Sequence, residues 1–298
     1  MGELNDILHD LESSLGPLGG PPAPLEGGIT NRNYRVTLGG EEYVVRRPGK
    51  DTDLLGIDRG GERLANATAA GLGIAPAVAA SRDDCLVTRF VACTPVTASE
   101  ISERAGEIAS ALRAFHGSGV LLPTSFWVSD LLGEYASVVT GLGRSLPRGF
   151  SRAVLAAARI ETAMPRARAC PCHNDLLAGN IINACDDGRI MLVDWEYAGM
   201  GDPRFDLGNL AVNNDFDAEA ELRLLEAYHG TPPSARAHAE LRLMRVLSDA
   251  REGAWGVVQG AVSQLDFDFA GYAEEHFARL DAVVANAEFE EWLAAACG

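Results

Sequence analysis

The sequence contains a single lysine, Lys50, so every other fixed positive charge in its 298 residues is an arginine. Acidic residues outnumber basic ones, with 42 Asp and Glu against 25 Lys and Arg, and the net charge is −17. This shortage of positive charge argues against nucleic acid or an anionic membrane surface as a partner and is compatible with a small cationic substrate. We expect any phosphate group that the chain binds to contact arginine.

Long apolar runs are also missing, and none reaches the length of a membrane span. The N-terminal segment MGELNDILHDLESSLG has neither the basic region nor the apolar core of a signal peptide. The six cysteines show no CxxC pair and no disulfide framework. Since the composition is 47% hydrophobic, the chain can bury a large core in one domain or two lobes. We expect a soluble protein of the cytoplasm.

The first part of the chain alternates strand and helix signals. LEGGITNRNYRVTL and EEYVVRRPG have strand composition, and LGGEE between them is typical of a hairpin turn. The segment 58–72 predicts a helix, and APAVAAS and CLVTRFV predict two more strands. The remainder is mostly helical, with helices predicted at 3–14, from 97 or 99 to 115, at 128–142 and 150–163, and from 202 onward with breaks near 214–216 and 230–233.

This order predicts an α+β fold with two lobes. Residues 1–92 would form a small antiparallel sheet with one helix, and residues 93–298 a larger and mainly helical lobe. The helical lobe is interrupted by two short predicted strands, at 180–184 and 190–194. We place the boundary between the lobes near 90–96, as a hinge.

Two neighbouring segments, PCHNDLLAGNII at 171–182 and IMLVDWEYAG at 190–199, carry the strongest functional signal. His173, Asp175 and Asn180 follow the spacing H-x-D-x-x-x-x-N of protein-kinase catalytic loops, and Asp194 ends the next strand. Carboxylate and amide oxygens with substrate phosphate are the ligands of Mg²⁺, and phosphoryl transfer needs a carboxylate near the acceptor hydroxyl. The pattern predicts phosphoryl transfer.

These segments resemble the choline/ethanolamine kinase branch of the aminoglycoside-phosphotransferase-like superfamily. The resemblance spans most of the chain and includes GGITNRNYRV, YVVRRPG, IDRGGE, HNDLLAGNII, VDWEYAGMGDPRFDLGN and AWGVVQGAVSQLDFDFAGYAEEHF. It implies a protein-kinase-like two-lobed fold, ATP and Mg²⁺ as cofactors, and a monomer or homodimer that transfers phosphate to a small alcohol.

The resemblance also implies roles for individual residues. Asp175 would orient or deprotonate the acceptor hydroxyl, and Asn180 and Asp194 would hold Mg²⁺. Arg46 would contact the ATP phosphates where protein kinases use lysine, since a guanidinium suits phosphate oxygens. Glu62 on the first-lobe helix would pair with Arg46.

Further positions complete the expected nucleotide site. Asn31 or Thr30 could reach a phosphate oxygen, and the backbone of 89–91 would hydrogen-bond to adenine. His173 and Asp206 would support the catalytic loop rather than move protons.

The expected acceptor pocket combines aromatic rings with negative charge, as recognition of an ammonium group requires. By the resemblance, the substrate residues would be Tyr197, Trp255, Phe267 and Tyr272. Choline kinases carry a second tryptophan three residues before Trp255, where this chain has Glu252. An acidic position of the family matches Asn213, near which Asp215 or Asp217 could compensate.

Exchanging an aromatic ring for a carboxylate favours a primary ammonium, which can donate hydrogen bonds to Glu252, over trimethylammonium. The sequence therefore predicts an ATP-dependent kinase of a small cationic amino alcohol such as choline or ethanolamine. Two alternatives stay open, an aminoglycoside or other small-alcohol phosphotransferase and a nucleotide-binding pseudoenzyme.

Overall fold

The computed structural model describes residues 2–25, 31–49, 52–94 and 96–297. Its N-terminal part is a five-stranded antiparallel sheet in the order β1-β2-β3-β5-β4, with two helices. The elements are α1 (Gly2–Leu15), β1 (Ala23–Leu25), β2 (Asn31–Leu38), β3 (Glu41–Pro48), α2 (Arg59–Gly71), β4 (Val78–Ser81) and β5 (Leu86–Arg89).

The β2–β3 hairpin is built by its turn and by its alternating side chains. Gly39 and Gly40 turn the chain with φ values of +61° and +86°, which glycine adopts without steric strain. Val36 and Val45 are buried on the face of the sheet that packs on α1. Because successive side chains of a strand point to opposite faces, Arg46 points away from the face that carries Val45. The hairpin thus carries Arg46 away from the α1 core.

The C-terminal part is mainly helical and is organised around α9 (Ala235–Val262), which packs on six other helices of the described chain. Its apolar residues form two large buried clusters. The other helices are α3 (Ala98–Glu103), α4 (Ala105–His116), α5 (Val128–Gly141), α6 (Arg148–Ala163), α7 (Pro203–Asn213), α8 (Ala218–His229), α10 (Phe269–Val284) and α11 (Ala287–Cys297).

Two small three-stranded sheets hold the loops between the helices. β6 (Cys93–Thr94), β9 (Ile181–Ala184) and β10 (Ile190–Leu192) pair in the order β10-β9-β6. β7 (Ser125–Phe126), β8 (Cys170–Cys172) and β11 (Gly199–Gly201) pair in the order β7-β11-β8. The segment around Asp175 follows β8, and the segment around Asp194 follows β10.

The predicted α+β fold, with a small antiparallel sheet and a large helical part, is confirmed. One predicted helix, from 97 or 99 to 115, is divided, because the chain bends at Arg104 between α3 and α4. Thr97 rather than Ser99 caps α3, in a reciprocal pair of hydrogen bonds with Glu100.

The first helical segment of the chain adds a second helix to the sheet, where the sequence predicted one helix packed on it. The boundary between residues 1–92 and 93–298 stays a prediction. Among the residues that the structure describes, no helix combines the length and the apolar character needed to cross a bilayer.

Candidate active site

The catalytic-loop segment is held by one buried carboxylate. Asp206, in the first turn of α7, accepts hydrogen bonds from the backbone N–H groups of His173 (2.8 Å) and Asn174 (2.7 Å) and from the His116 ring (2.9 Å). Burial alone would raise the pKa of Asp206, but these donors, His116 above all, lower it. Asp206 therefore supports the loop, as expected from the sequence.

His173 is buried and is bonded on both ring nitrogens to backbone groups. Its Nε2 lies 3.0 Å from the carbonyl oxygen of Val193, and its Nδ1 accepts from the N–H of Asp175 at 3.3 Å. Burial lowers the pKa of the ring, which favours the neutral form that both bonds require. His173 thus ties the loop to the segment before Asp194, and both of its ring nitrogens are engaged by backbone groups.

Asp175 lies where two groups of side chains meet. Asn180 donates from Nδ2 to Asp175 Oδ2 at 2.9 Å, and Arg251 Nη1 lies 3.2 Å from Asp175 Oδ1. Burial raises the pKa of the Asp175 carboxyl to about 8, against the opposing effect of the Arg251 guanidinium. A raised proton affinity suits a carboxylate that accepts a proton from a hydroxyl.

Asp194 follows β10 in the left-handed conformation, with φ of 63°, which turns its carboxylate out of the strand. Its Oδ2 pairs with Arg46 Nη2 at 2.7 Å. Its Oδ1 is buried and has no hydrogen-bond partner within the described part of the chain. The backbone N–H of Val193 donates to the Asn180 carbonyl oxygen at 2.9 Å, which holds Asn180 and its side-chain amide next to Asp194.

This donor set fits Mg²⁺. An unpartnered buried carboxylate oxygen and an amide oxygen, facing a cavity that can admit phosphate oxygens, are ligands that Mg²⁺ accepts. Asn180 and Asp194, predicted as metal ligands, therefore lie side by side with suitable chemistry.

Arg46 forms the predicted pair with Glu62, at 2.8 Å between Nη1 and Oε1. Burial would lower the pKa of its guanidinium, but the Asp194 and Glu62 carboxylates outweigh burial and raise it. The pair fixes a cation beside Asp194, on the wall of the same cavity.

A second arginine, which the sequence analysis did not identify, extends this network. Arg59 Nη1 contacts Glu62 Oε2 at 2.7 Å and Glu196 Oε2 at 3.1 Å. Asn31, predicted as a phosphate ligand, donates from Nδ2 to Glu196 at 2.8 Å. Its predicted contact with phosphate stays a prediction, and Thr30 lies outside the described residues.

A cavity of about 600 Å³ opens between the N-terminal sheet and the catalytic segments. Its lining includes Arg46, Asn180, Asp194 and the segment 89–91 predicted to face adenine. The N–H groups of Arg89 and Phe90 already donate to the carbonyl oxygens of Ala77 and Glu42. These two N–H groups are thus engaged within the sheet, and the expected donor to adenine narrows to Val91.

The predicted acceptor residues form one contiguous cluster. Trp255 Nε1 donates to the Tyr197 hydroxyl at 2.7 Å, and the rings of Trp255 and Tyr272 meet edge-on at 5.6 Å. Phe267 contacts the outer side of this cluster, 6.1 Å from the Tyr272 ring, and is 44% exposed. Glu252 is buried and accepts from the Tyr272 hydroxyl at 2.8 Å.

Glu252 also pairs with a residue that the sequence analysis missed. Arg251, the largest charged side chain that is fully buried, places Nη1 2.7 Å from Glu252 Oε1 and its guanidinium carbon 4.3 Å above the Tyr197 ring. The available signal was the run Asp249-Ala-Arg-Glu-Gly-Ala-Trp255, in which charged residues interrupt a helix that is otherwise apolar on this side. A buried arginine needs partners, and only packing reveals them.

Comparison with known proteins gives a family for this arrangement. Residues 22–241 match the model of the phosphotransferase enzyme family. Protein LicA of Haemophilus influenzae is 28% identical over 209 residues, which cover 68% of this chain and 61% of that protein. The chain therefore spans about three fifths of that relative's length.

Two longer matches extend over nearly the whole chain. The probable choline kinase 1 of Arabidopsis thaliana is 24% identical over 91% of this chain and 87% of its own length. The crystal structure of a choline/ethanolamine kinase family protein from Mesorhizobium loti superposes with a TM-score of 0.82, at 29% identity and with 99% of each chain covered. On this evidence, the chain belongs to the phosphotransferase enzyme family.

Proposed function

We propose that this protein transfers the γ-phosphoryl group of ATP to the hydroxyl of a small amino alcohol, with Mg²⁺ as cofactor. The observation that carries the proposal is the position of Asp175. One oxygen of its carboxylate contacts Asn180, which lines the cavity of about 600 Å³. The other oxygen contacts Arg251, which lies against the aromatic cluster. The Asp175 carboxylate thus lies between a cavity large enough for a nucleotide and the aromatic cluster expected to bind the acceptor.

The nucleotide side supports the proposal through its charges. Arg46 is held in place by Glu62 and Asp194 and would contact phosphate oxygens through its guanidinium. Asn180 and Asp194 would hold Mg²⁺, which when bound neutralises phosphate charge. The 600 Å³ cavity would take the adenosine, with the backbone near Val91 at its edge.

The reaction needs no covalent enzyme intermediate. The acceptor oxygen attacks the γ-phosphorus, the bond from that phosphorus to the β–γ bridging oxygen breaks, and ADP leaves. The hydroxyl proton passes to the Asp175 carboxylate, which Asn180 orients. Positioning and charge therefore supply most of the acceleration.

The acceptor side supports an ammonium group that can donate hydrogen bonds rather than a trimethylammonium group. Glu252 is buried with Tyr272 on one oxygen, so a carboxylate lies within the aromatic cluster. An ammonium group that donates hydrogen bonds can use a carboxylate lone pair, whereas trimethylammonium cannot. We also propose that residues 1–92 act as the nucleotide lobe, that residues 93–298 act as the catalytic lobe, and that the protein works in the cytoplasm.

Turnover of Mg-ATP tests the proposal. ADP release would be measured with ethanolamine, choline, related amino alcohols and several aminoglycosides, with wild type and with Asp175→Asn. We expect turnover with a small amino alcohol and a fall of about 1,000-fold in kcat for Asp175→Asn, with unchanged thermal stabilisation by Mg-ATP.

Other outcomes separate the alternatives. Turnover with aminoglycosides alone would assign the protein to that acceptor class. Stabilisation by Mg-ATP without turnover on any acceptor would favour a nucleotide-binding pseudoenzyme. Absence of stabilisation by Mg-ATP would contradict the proposal altogether.

A further inference from the structure

Arg251 lies against an aromatic ring that was expected to bind the cationic group of the acceptor. Its guanidinium carbon lies 4.3 Å above the ring of Tyr197, a residue expected to contact the substrate ammonium. A cation of the protein itself therefore already covers one aromatic face of the pocket. A second fixed cation brought to the same ring would be repelled in a site with little solvent.

The hydrogen-bonding pattern of Arg251 is incomplete on one side. Its Nη1 contacts Asp175 at 3.2 Å and Glu252 at 2.7 Å. Its Nε and Nη2 are buried and have no hydrogen-bond partner among the residues that the structure describes. Leaving buried donors unpaired costs about 1–3 kcal/mol for each group. A group that accepts from both nitrogens would remove this cost.

These two nitrogens form one edge of the guanidinium plane. The N–H groups of Nε and Nη2 point in the same direction, and this edge binds a carboxylate through two parallel hydrogen bonds. The remaining nitrogen holds Asp175, so a carboxylate on the open edge would lie a short distance from the carboxylate proposed to receive the hydroxyl proton.

The surroundings supply the complementary charge for an ammonium group. The Arg251 guanidinium lies 5.8 Å from the ring of Phe126. Phe126 and Tyr197 both line a cavity of about 230 Å³, to which Glu134 also belongs. Glu134 thus adds a carboxylate to a cavity that shares these two rings with Arg251, and Glu252 adds a second carboxylate, which contacts Arg251 through one oxygen and Tyr272 through the other.

We propose that Arg251 selects an acceptor that carries a carboxylate beside its hydroxyl and ammonium groups, that is, a short hydroxyamino acid. The carboxylate docks on the Nε–Nη2 edge of Arg251, the ammonium faces Glu252, and the hydroxyl reaches Asp175. This inference rests on the proposed phosphoryl transfer and names the substrate class for that same site. Arg251 is then a binding residue that determines specificity.

Pairs of compounds that differ only in the carboxylate test this inference. Serine is compared with ethanolamine, which is serine without its carboxylate, and homoserine with 3-aminopropanol. Choline is the quaternary control, and 4-hydroxybutanoate keeps the carboxylate of homoserine without the ammonium. Binding is measured as thermal stabilisation in the presence of Mg²⁺ and a non-hydrolysable ATP analogue, and turnover as ADP release with Mg-ATP.

We expect at least one hydroxyamino acid to exceed its decarboxylated partner by about 100-fold in kcat/KM, as expected for a charge-assisted bond made through two nitrogens. Arg251→Lys keeps the positive charge and loses the paired edge, so it should reduce this preference about tenfold, mainly through KM. Arg242→Lys is the matched control, because Arg242 lies on the same helix and pairs with Glu221 instead.

The two levels of the proposal fail in different ways. Turnover of ethanolamine or choline equal to or better than that of every hydroxyamino acid overturns the role of Arg251 and leaves the phosphoryl transfer standing. Binding of a hydroxyamino acid that depends on Arg251 but gives no ADP supports the carboxylate site and overturns the transfer. Absence of stabilisation of wild type by any of the carboxylates overturns the inference, whether or not Arg251→Lys folds.

Discussion

The nucleotide side and the acceptor side of the site are built differently. On the nucleotide side, Arg46, Glu62 and Asp194 form ion pairs along the wall of an open cavity of about 600 Å³. On the acceptor side, Arg251 and Glu252 form a buried pair beside the aromatic rings of Tyr197 and Tyr272. The nucleotide side leaves room for a large ligand, whereas the acceptor side presents the Nε–Nη2 edge of the Arg251 guanidinium for hydrogen bonding.

This difference shows where the chain keeps to its family and where it departs. The residues that the resemblance assigns to ATP and Mg²⁺ include Arg46, Asn180 and Asp194, with Arg46 at the position where protein kinases use lysine. On the acceptor side, Glu252 lies where the resemblance would place a tryptophan, and it pairs with the buried Arg251. Under the proposed function, ATP is the donor that the resemblance implies, and Glu252 is the position where the acceptor side departs from the resemblance.

The largest effect is expected on the nucleotide side. Asp194→Ala removes the unpartnered carboxylate oxygen and one partner of Arg46, so kcat should fall by about 1,000-fold or more in ADP release with Mg-ATP. Asp187→Ala, in the exposed turn between β9 and β10, is the control and should retain activity. Activity of Asp194→Ala within tenfold of wild type would rule out the metal assignment.

Asp206, which supports the loop that both sides share, should control stability in acid. Because its pKa is lowered in the folded state, its ionised form stabilises the protein above the unfolded pKa of about 3.9, and this stabilisation is lost as the pH falls through the folded pKa. Asp206→Asn should lower the free energy of unfolding by about 3 kcal/mol at neutral pH.

Urea unfolding of wild type and Asp206→Asn between pH 7 and pH 3 checks this expectation. The difference between the two proteins should begin to shrink below about pH 4, where the carboxyl of the unfolded wild-type chain becomes protonated before that of the folded protein. A difference that stays constant over this range would contradict the assigned role of the ionised carboxylate.

Arg46→Met should weaken the use of ATP while leaving the binding of the acceptor nearly unchanged. It removes the proposed phosphate contact, so kcat/KM for ATP should fall by about 50-fold while the affinity for the acceptor stays within about twofold. Arg47→Met on the same strand is the matched control, because Arg47 is not among the residues that line the cavity. Equal losses for the two variants would mean that Arg46 acts only on the fold.

The smallest effect is expected at Phe267, on the outer side of the acceptor cluster. Because its side chain is 44% exposed, Phe267→Ala should lower the free energy of unfolding by less than about 1 kcal/mol. The KM for the acceptor should rise about threefold and the KM for ATP should not change. Leu265→Ala, which is 51% exposed in the same connection, is the control. An unchanged acceptor KM would place Phe267 outside the pocket.

The sequence by itself predicted the features that depend on residues close to one another along the chain. The hairpin follows from paired glycines between strand-forming segments, and the helix predicted at 58–72 follows from its alanine-rich composition. The structure adds that the Asp58 side chain caps this helix. The catalytic segments were recognised because Asp175, Asn180 and Asp194 lie within twenty positions of one another at a spacing typical of kinases. The Arg46–Glu62 pair came from the resemblance to the family.

Only the tertiary structure decided what those residues contact. Arg251 reaches Asp175 across a separation of 76 positions, and Asp206 reaches His173 across 33 positions. No local sequence pattern predicts these two contacts, because they depend on how α7 and α9 pack around the loop after β8. Local propensities thus determined which elements form and which segment carries the chemistry. Packing brought Arg251 beside the catalytic carboxylate, because a buried guanidinium is stable only where other chain segments provide its partners.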